Sequence, residues 1–381
     1  MNDSAALRVD PVSSNSDLRE FVELAYRIYA ADKDWAAPLK SDVRWMLDTA
    51  KNPFWKHAQR TLFLARRDGK VVGRIAAIVD DEHNRVHREK TGFFGFFECE
   101  NDRDVAAALL REAEAWVRRA LPGASRLRGP VNPSLNDECA ALLPKESDPG
   151  IPFIMMTYNP AYYLDLFGAA GYAKVKDLVA ILAPVSDVSF KRLARLAEGV
   201  RRREPKLVVR PIRMDHFDED LAIVKTIYNG AWEKNWGFVP MTSEEIDAMA
   251  KKLKPILYPP YILFAEIDGR PAAFHLALPD FNQVLAKMKG SLFPFGWLTF
   301  LLEKGKIDRC RTMALGVLPD YRKRGIDAVL YYEAMKAGIA LGHKWVEFSW
   351  MLEDNLDILR PLEVFGGRVY RRYRLVEKPL S

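Results

Sequence analysis

The stretch RTMALGVLPDYRKRGIDAVLYYEAMKAGIALG, Arg311–Gly342, decides how this chain is read. Thr312–Val317 has the content of a strand, and Pro319 ends it. From Ile326 the period changes: Ile326, Val329, Leu330, Ala334, Ala337 and Leu341 fall on one face of a helix. Between strand and helix lies YRKRG, Tyr321–Gly325. A loop feeding a helix N-terminus presents unpaired backbone N–H groups and the positive end of the helix dipole. Arginines beside such a nest suit a pyrophosphate, and Gly325 lets the backbone approach its ligand closely. The plainer alternative is a capped helix start with no ligand.

Outward from this stretch, the chain repeats itself at an offset of roughly 195 to 200 residues. LRVDPV (Leu7–Val12) answers LVVRPI (Leu207–Ile212), and each is followed by a helical region with a tryptophan-bearing loop, near Trp35 and Trp236. TLFLARRDGKVVGRIAAIVD (Thr61–Asp80) answers YILFAEIDGRPAAFHLALPD (Tyr261–Asp280). Asp-Gly between two apolar runs is a strong hairpin signal, at Asp68-Gly69 and Asp268-Gly269. Each half closes on a helix, a glycine stop and a β-rich run, Asn159–Leu182 and Asn355–Pro379. The order predicts a duplicated mixed α/β unit. Between the halves, Phe190, Leu193, Leu196 and Val200 recur at helical spacing and predict a basic helix ending before Pro205. The expected division is therefore 1–184, a linker helix over 185–206, and 207–381.

Composition agrees with two domains: 381 residues, 49% hydrophobic and 28% charged. A net charge of +6 fits an anionic partner such as CoA or a lipid surface, or simply a basic solvated face. The basic residues are dispersed and no recognition motif appears, which argues against nucleic acid. Cys99, Cys139 and Cys310 have neither zinc spacing nor a redox pair, so a reducing cytosol and no metal are expected. The acidic start MNDSAALRVDP is not a signal peptide.

Within Arg311–Gly342, VLPDYRKRGIDAVL (Val317–Leu330) resembles motif A of the GNAT superfamily: strand, V-x-P-x-x-R/Q-x-x-G-x-G/A, helix. The resemblance implies two tandem GNAT folds of mixed α/β class. It implies that Arg322, Lys323, Arg324, Gly325 and Ile326 cradle the pyrophosphate of acyl-CoA or acetyl-CoA, and that the main chains of Leu315 and Val317 pair with pantetheine. Asp327 stands where the motif has Gly or Ala and would repel a phosphate unless turned away. The first half's counterpart, FFGFFECENDRDVAAALL (Phe93–Leu110), is acidic and lacks the glycine step, so one donor site per chain is expected, in the second half.

Acyl transfer from a thioester to an amine needs a base for the amine and an acid for the leaving thiolate. KWVEFSW (Lys344–Trp350) reads as the next strand, with Trp345, Glu347 and Ser349 on one face and Val346, Phe348 and Trp350 on the other. Glu347 resembles the glutamate base of some GNAT members; Glu353 is a second choice, and a plain salt-bridged glutamate is the alternative. Asn355 resembles the asparagine that opens motif B and contacts pantetheine. The family's tyrosine acid position holds Leu362, leaving Tyr370 or Tyr373 to replace it. In the first half, Asn132, Ser134, Asn136, Asp137 and Glu138 with Tyr158, Asn159 and Tyr162 read as an acceptor pocket, or as ordinary turn formers beside proline.

One segment exceeds what a GNAT fold needs: NQVLAKMKGSLFPFGWLTFLLEKGK, Asn282–Lys306. Its apolar core, residues 291–302, is too short to span a bilayer and is flanked by Lys287, Lys289, Lys304 and Lys306, as suits an anionic lipid surface. A lid, a dimer contact or core are the alternatives. With the tandem architecture, this insertion is similar to GNAT-like bacterial ceramide synthases, which N-acylate a long-chain amino lipid. The expected activity is N-acyl transfer from acyl-CoA or acyl-carrier protein to a primary amine, cytoplasmic, at the inner face of the membrane. The alternatives are an N-acetyltransferase acting on small molecules or proteins, and a non-catalytic binding protein.

Overall fold

Leu7–Pro11 forms β1, and Ser14 starts α1 (Asn15–Ile28) with a capping box shared with Asp17. After α2 (Lys40–Leu47), β2 (Ala58–Arg67) and β3 (Lys70–Asp80) make the expected hairpin. Asp68 and Gly69 take φ of 51° and 75°, the paired left-handed residues of a turn whose twist matches its strands. Then come α3 (Asp81–His87), β4 (Thr91–Cys99), α4 (Arg103–Ala120) and β5 (Arg126–Gly129). The sheet order is β1-β2-β3-β4-β5, antiparallel until the parallel pair β4–β5. Short strands β6 (Val131–Asn132), β7 (Glu138–Cys139) and β8 (Ala141–Leu142) lead to α5 (Tyr163–Ala169) and β9 (Ala173–Pro184). Phe94, Leu109, Val117, Leu127 and Phe167 are buried together where α4 and α5 cover the sheet.

The second pass begins with α6 (Asp187–Arg203), β10 (Leu207–Pro211), α7 (Phe217–Ala231) and α8 (Ser243–Leu253). β11 (Ile262–Ile267) and β12 (Arg270–Pro279) form the second hairpin, with Asp268 and Gly269 at φ of 51° and 71°. After α9 (Asn282–Met288) and α10 (Gly296–Glu303) come β13 (Arg309–Val317), α11 (Ile326–Ala340), β14 (Trp345–Leu352), α12 (Leu356–Val364) and β15 (Arg368–Pro379). The order β10-β11-β12-β13-β14 is antiparallel until the parallel pair β13–β14. The two halves match in detail: Leu7 pairs Arg67 as Leu207 pairs Ile267, and the register shifts after Ala65 as it does after Ala265.

This computed structural model describes residues 7–232 and 235–380. They divide into two compact units, 7–178 with 285–297 and 371–380, and 179–284 with 298–370. These limits differ from the sequence boundaries at 184 and 206, because β9 and β15 are each divided between the units. The helix read as a linker is α6, which belongs to the second unit. There Ala197 and Val200 pack on Val329 of α11, and the Phe190 ring stacks on Tyr332 at 5.2 Å. Leu196, placed on the apolar face by its spacing, is exposed, since the buried line runs through Leu193, Ala197 and Val200. All three cysteines are buried, and none of them forms a disulfide among the described residues. Among the described residues no helix is long and apolar enough to cross a membrane, and no cluster of metal-ligating side chains occurs.

Candidate functional site

The second unit's sheet opens between its two parallel strands. β13 and β14 pair from Arg309↔Trp345 to Thr312↔Phe348 and then part. β13 continues to Val317 while still paired with β12, through Ala314↔Leu276, Leu315↔His275, Gly316↔Phe274 and Val317↔Ala273. Met313 is passed over in that register, the mark of a bulge that bends a strand away from its neighbour. The other edge of Met313–Val317 therefore offers backbone N–H and C=O groups to an extended amide-bearing chain. The side chains of Leu315 and Val317 pack against Ile326 and Leu330 of α11, so their backbones are what the gap sees.

The gap leads to the N-terminus of α11. Lys323 and Gly325 both have left-handed φ, 61° and 82°, and no side chain caps the helix. Among the described residues, the amides of Lys323, Arg324, Gly325, Ile326 and Asp327 make no backbone hydrogen bond. Position 325 requires glycine twice over: φ is left-handed, and a β-carbon would lie 2.7 Å from the Val200 methyl of α6. The arginines are less free than their spacing suggested. Arg324 is paired with Glu204, its Nε at 2.6 Å, and Arg322 donates to the carbonyls of Ala231 at 2.9 Å and Val317 at 3.3 Å. Lys323 is exposed, and Asp327 sits half-buried in the first helical turn.

At the point where the strands part, the two faces of β14 differ sharply. Glu347 is 0% exposed. One of its oxygens accepts from the Tyr370 hydroxyl and the other from Ser349 Oγ. Arg311 Nε lies 3.7 Å from the carboxylate and donates to Ser349 Oγ at 2.8 Å, while its Nη2 donates to the Ser349 carbonyl at 3.2 Å. Glu347 is thus a buried carboxylate with two hydroxyl donors and a guanidinium, so it carries the salt bridge of the plainer reading beside the position expected of a base. Tyr370 meets Glu347 directly, whereas Tyr373 lies in the first unit and pairs with Leu142. Glu353 stands in the turn after β14, and Asn355 precedes α12 without capping it. Leu362 is buried in a cavity on the opposite face, with Val346 and Phe348. Ser349 shares the face expected for Glu347, whereas Arg311 and this cavity lie outside the sequence reading; an arginine two residues inside β13 was the available signal.

The first unit closes the equivalent features. β4 and β5 pair only from Thr91↔Arg126 to Phe93↔Arg128, and the chain itself fills the space beyond. The Asn132 side chain of β6 accepts from the Phe96 N–H at 2.6 Å, and a β-carbon on Gly95 would lie 1.5 Å from the Val131 carbonyl. At the start of α4, the Asp102 carboxylate accepts from the amides of Asp104 and Val105, occupying the place an anion would take.

The residues read as an acceptor pocket take hydrogen-bond partners in several parts of the first unit. Asn132 is the plug. Ser134, Asn136 and Asp137 form a local turn, with Ser134 Oγ donating to Asp137 at 2.7 Å and Glu138 pairing with Asn132 in β7–β6. Asn159 bonds the Leu142 backbone, Tyr158 donates to Asp32 at 2.8 Å, and Tyr162 donates to the Cys99 carbonyl at 2.8 Å. Asn159 is the buried member of the set, and its side chain is satisfied by the Leu142 backbone, as a buried polar group must be.

Known proteins resemble this chain over its length. It is 34% identical to Protein YghO of Escherichia coli, covering 96% of this chain and 94% of the relative. It is also 34% identical to the bacterial ceramide synthase of Caulobacter vibrioides, covering 99% and 98%. Among solved structures, a tandem GNAT protein from the clavulanic acid biosynthesis pathway aligns over 99% of both chains, with a TM-score of 0.59 and 14% identity. A GCN5-related N-acetyltransferase from Sphaerobacter thermophilus aligns over 98% of this chain and 96% of that one, with a TM-score of 0.52 and 13% identity. No family model matches.

Proposed function

This chain belongs to the tandem GNAT acyltransferase family, and we propose that it transfers an acyl group from acyl-CoA to the primary amine of a lipid-like acceptor at a membrane surface. The observation that carries this reading is the parting of β13 and β14 in front of the uncapped α11 N-terminus. An extended pantetheine arm would add to the free edge of Met313–Val317, and the amides of Lys323–Asp327 would receive the pyrophosphate, with Lys323 adding positive charge. Asn355 would contact the arm from the other side.

The thioester would then sit beside Glu347 and Tyr370. The amine nitrogen attacks the thioester carbon, and the C–N bond forms as the C–S bond breaks. The nitrogen's proton goes to Glu347, directly or through water, and the departing thiolate takes the Tyr370 proton. The hydrogen bond between Tyr370 and Glu347 returns that proton to the tyrosine. No covalent enzyme intermediate is needed; Cys139 and Cys310, both buried, stay out of the reaction.

Two observations favour a lipid acceptor. The relative from C. vibrioides is named a ceramide synthase. The 291–302 segment also turns its apolar side chains outward: Phe293 is 77%, Phe295 72% and Leu302 64% exposed, and α10 buries none of its residues. Such rings and leucines flanked by lysines suit insertion at the level of anionic headgroups. The test is thiol release from palmitoyl-CoA and acetyl-CoA with three acceptors: a long-chain amino alcohol in anionic liposomes, a polyamine, and a lysine peptide. Release with palmitoyl-CoA and the long-chain amine, with its amide seen by mass spectrometry, is expected. Release only with acetyl-CoA and the small amines would favour the acetyltransferase reading, and no release anywhere would favour a binding protein.

A further inference from the structure

The apolar cavity on the far face of the parting strands has no part in the chemistry above. It lies in the second unit among α6, α11, α12 and the sheet, lined by Leu193, Tyr331, Ala334, Phe348 and Leu362. Its enclosed volume is about 40 Å³, several times the roughly 10–15 Å³ that one water needs, and it opens outward through a mouth. Thr312 and Phe348 are the last paired residues of β13 and β14, and both also line the cavity. A donor lying along β13 from the α11 N-terminus would run from Val317 toward Thr312, roughly 17 Å at the rise of a strand. Whatever the thioester carries would then lie at the strand positions that border the cavity.

The few polar groups in the wall are satisfied among themselves. His275 bonds the Tyr261 carbonyl at 3.1 Å and Thr312 Oγ1 at 3.2 Å, and the Tyr261 hydroxyl bonds His343 Nδ1 at 2.6 Å. Burial pushes the His275 pKa down to about 4 and the Cys310 thiol up to about 12. At neutral pH the wall is therefore uncharged and asks nothing of its occupant but apolar surface.

We propose that this cavity is the acyl-chain site, taking the hydrocarbon tail of a long-chain acyl thioester and gauging its length against α6 and α11. The inference rests on the donor reading of the β13 edge. The test is calorimetric binding of CoA, octanoyl-CoA and palmitoyl-CoA to the full chain and to Ala334→Phe and Ala334→Leu. The wild type should bind palmitoyl-CoA at least tenfold tighter than CoA. The larger side chains should shrink that advantage in order of size, below threefold for phenylalanine, and leave CoA affinity unchanged, since Ala334 lines the cavity from the middle of α11, two turns past the N-terminal amides. A palmitoyl-CoA bearing a diazirine at the chain end, used on the wild type, should label residues of 331–338 or of α6. CoA binding with no chain-length preference, or labelling confined to 291–302, overturns the acyl-chain site alone. Failure of CoA and both acyl-CoAs to bind overturns the donor reading and this inference with it.

Discussion

Glu347 and Tyr370 are 23 residues apart in sequence yet share a buried hydrogen bond. If they relay one proton, Glu347→Gln and Tyr370→Phe should each lower kcat roughly 100-fold or more with little change in KM. The double variant should be no worse than the poorer single, because groups acting as a unit are not additive. Multiplying losses in the amide-forming assay would mean separate roles. His275 gives a second prediction. Its folded pKa is depressed to about 4, while the unfolded chain takes up that proton near pH 6.5. Between those values the unfolded state holds more protons, so stability is full above about 6.5 and falls as pH drops toward 4. By pH 5 the loss from this group is about 2 kcal/mol. Denaturation at pH 7 and pH 5 should show His275→Gln losing that much less than the wild type; equal losses would refute the assignment. Glu347 was legible as a carboxylate on the strand that follows α11. Its burial and its partners were not, because Arg311 and Tyr370 reach it from other strands.

Among the elements, α11 and α4 start the same way in topology and oppositely in chemistry. Gly325 leaves the α11 amides open, while Asp102 closes those of α4. That contrast was readable, since glycine and aspartate at a helix start carry opposite meanings for an anion. The plug of the first gap was not: Asn132 looked like a turn former, and only the fold carries it to Phe96. α10 supplies the prediction at this scale. Replacing Phe293, Phe295 and Leu302 together by serine should abolish co-sedimentation with anionic liposomes and leave the melting temperature within a few degrees, since these side chains are exposed. Retained liposome binding would remove the segment from the membrane account.

For the whole molecule, the duplication was the most legible feature. Leu7 and Leu207, Asp68 and Asp268, and the shifts after Ala65 and Ala265 keep one offset because hairpin register is set locally by turn residues and alternation. The exact domain limits were less so, because β9 and β15 are long continuous strands with no break in composition where the units divide. A duplicated fold with one open gap and one filled gap makes a definite statement about stoichiometry. Calorimetry of the full chain with CoA tests it most directly. The account predicts one CoA per chain, with affinity reduced about tenfold by Arg322→Ala combined with Lys323→Ala. Two CoA per chain, or one whose affinity ignores that double substitution, would contradict it.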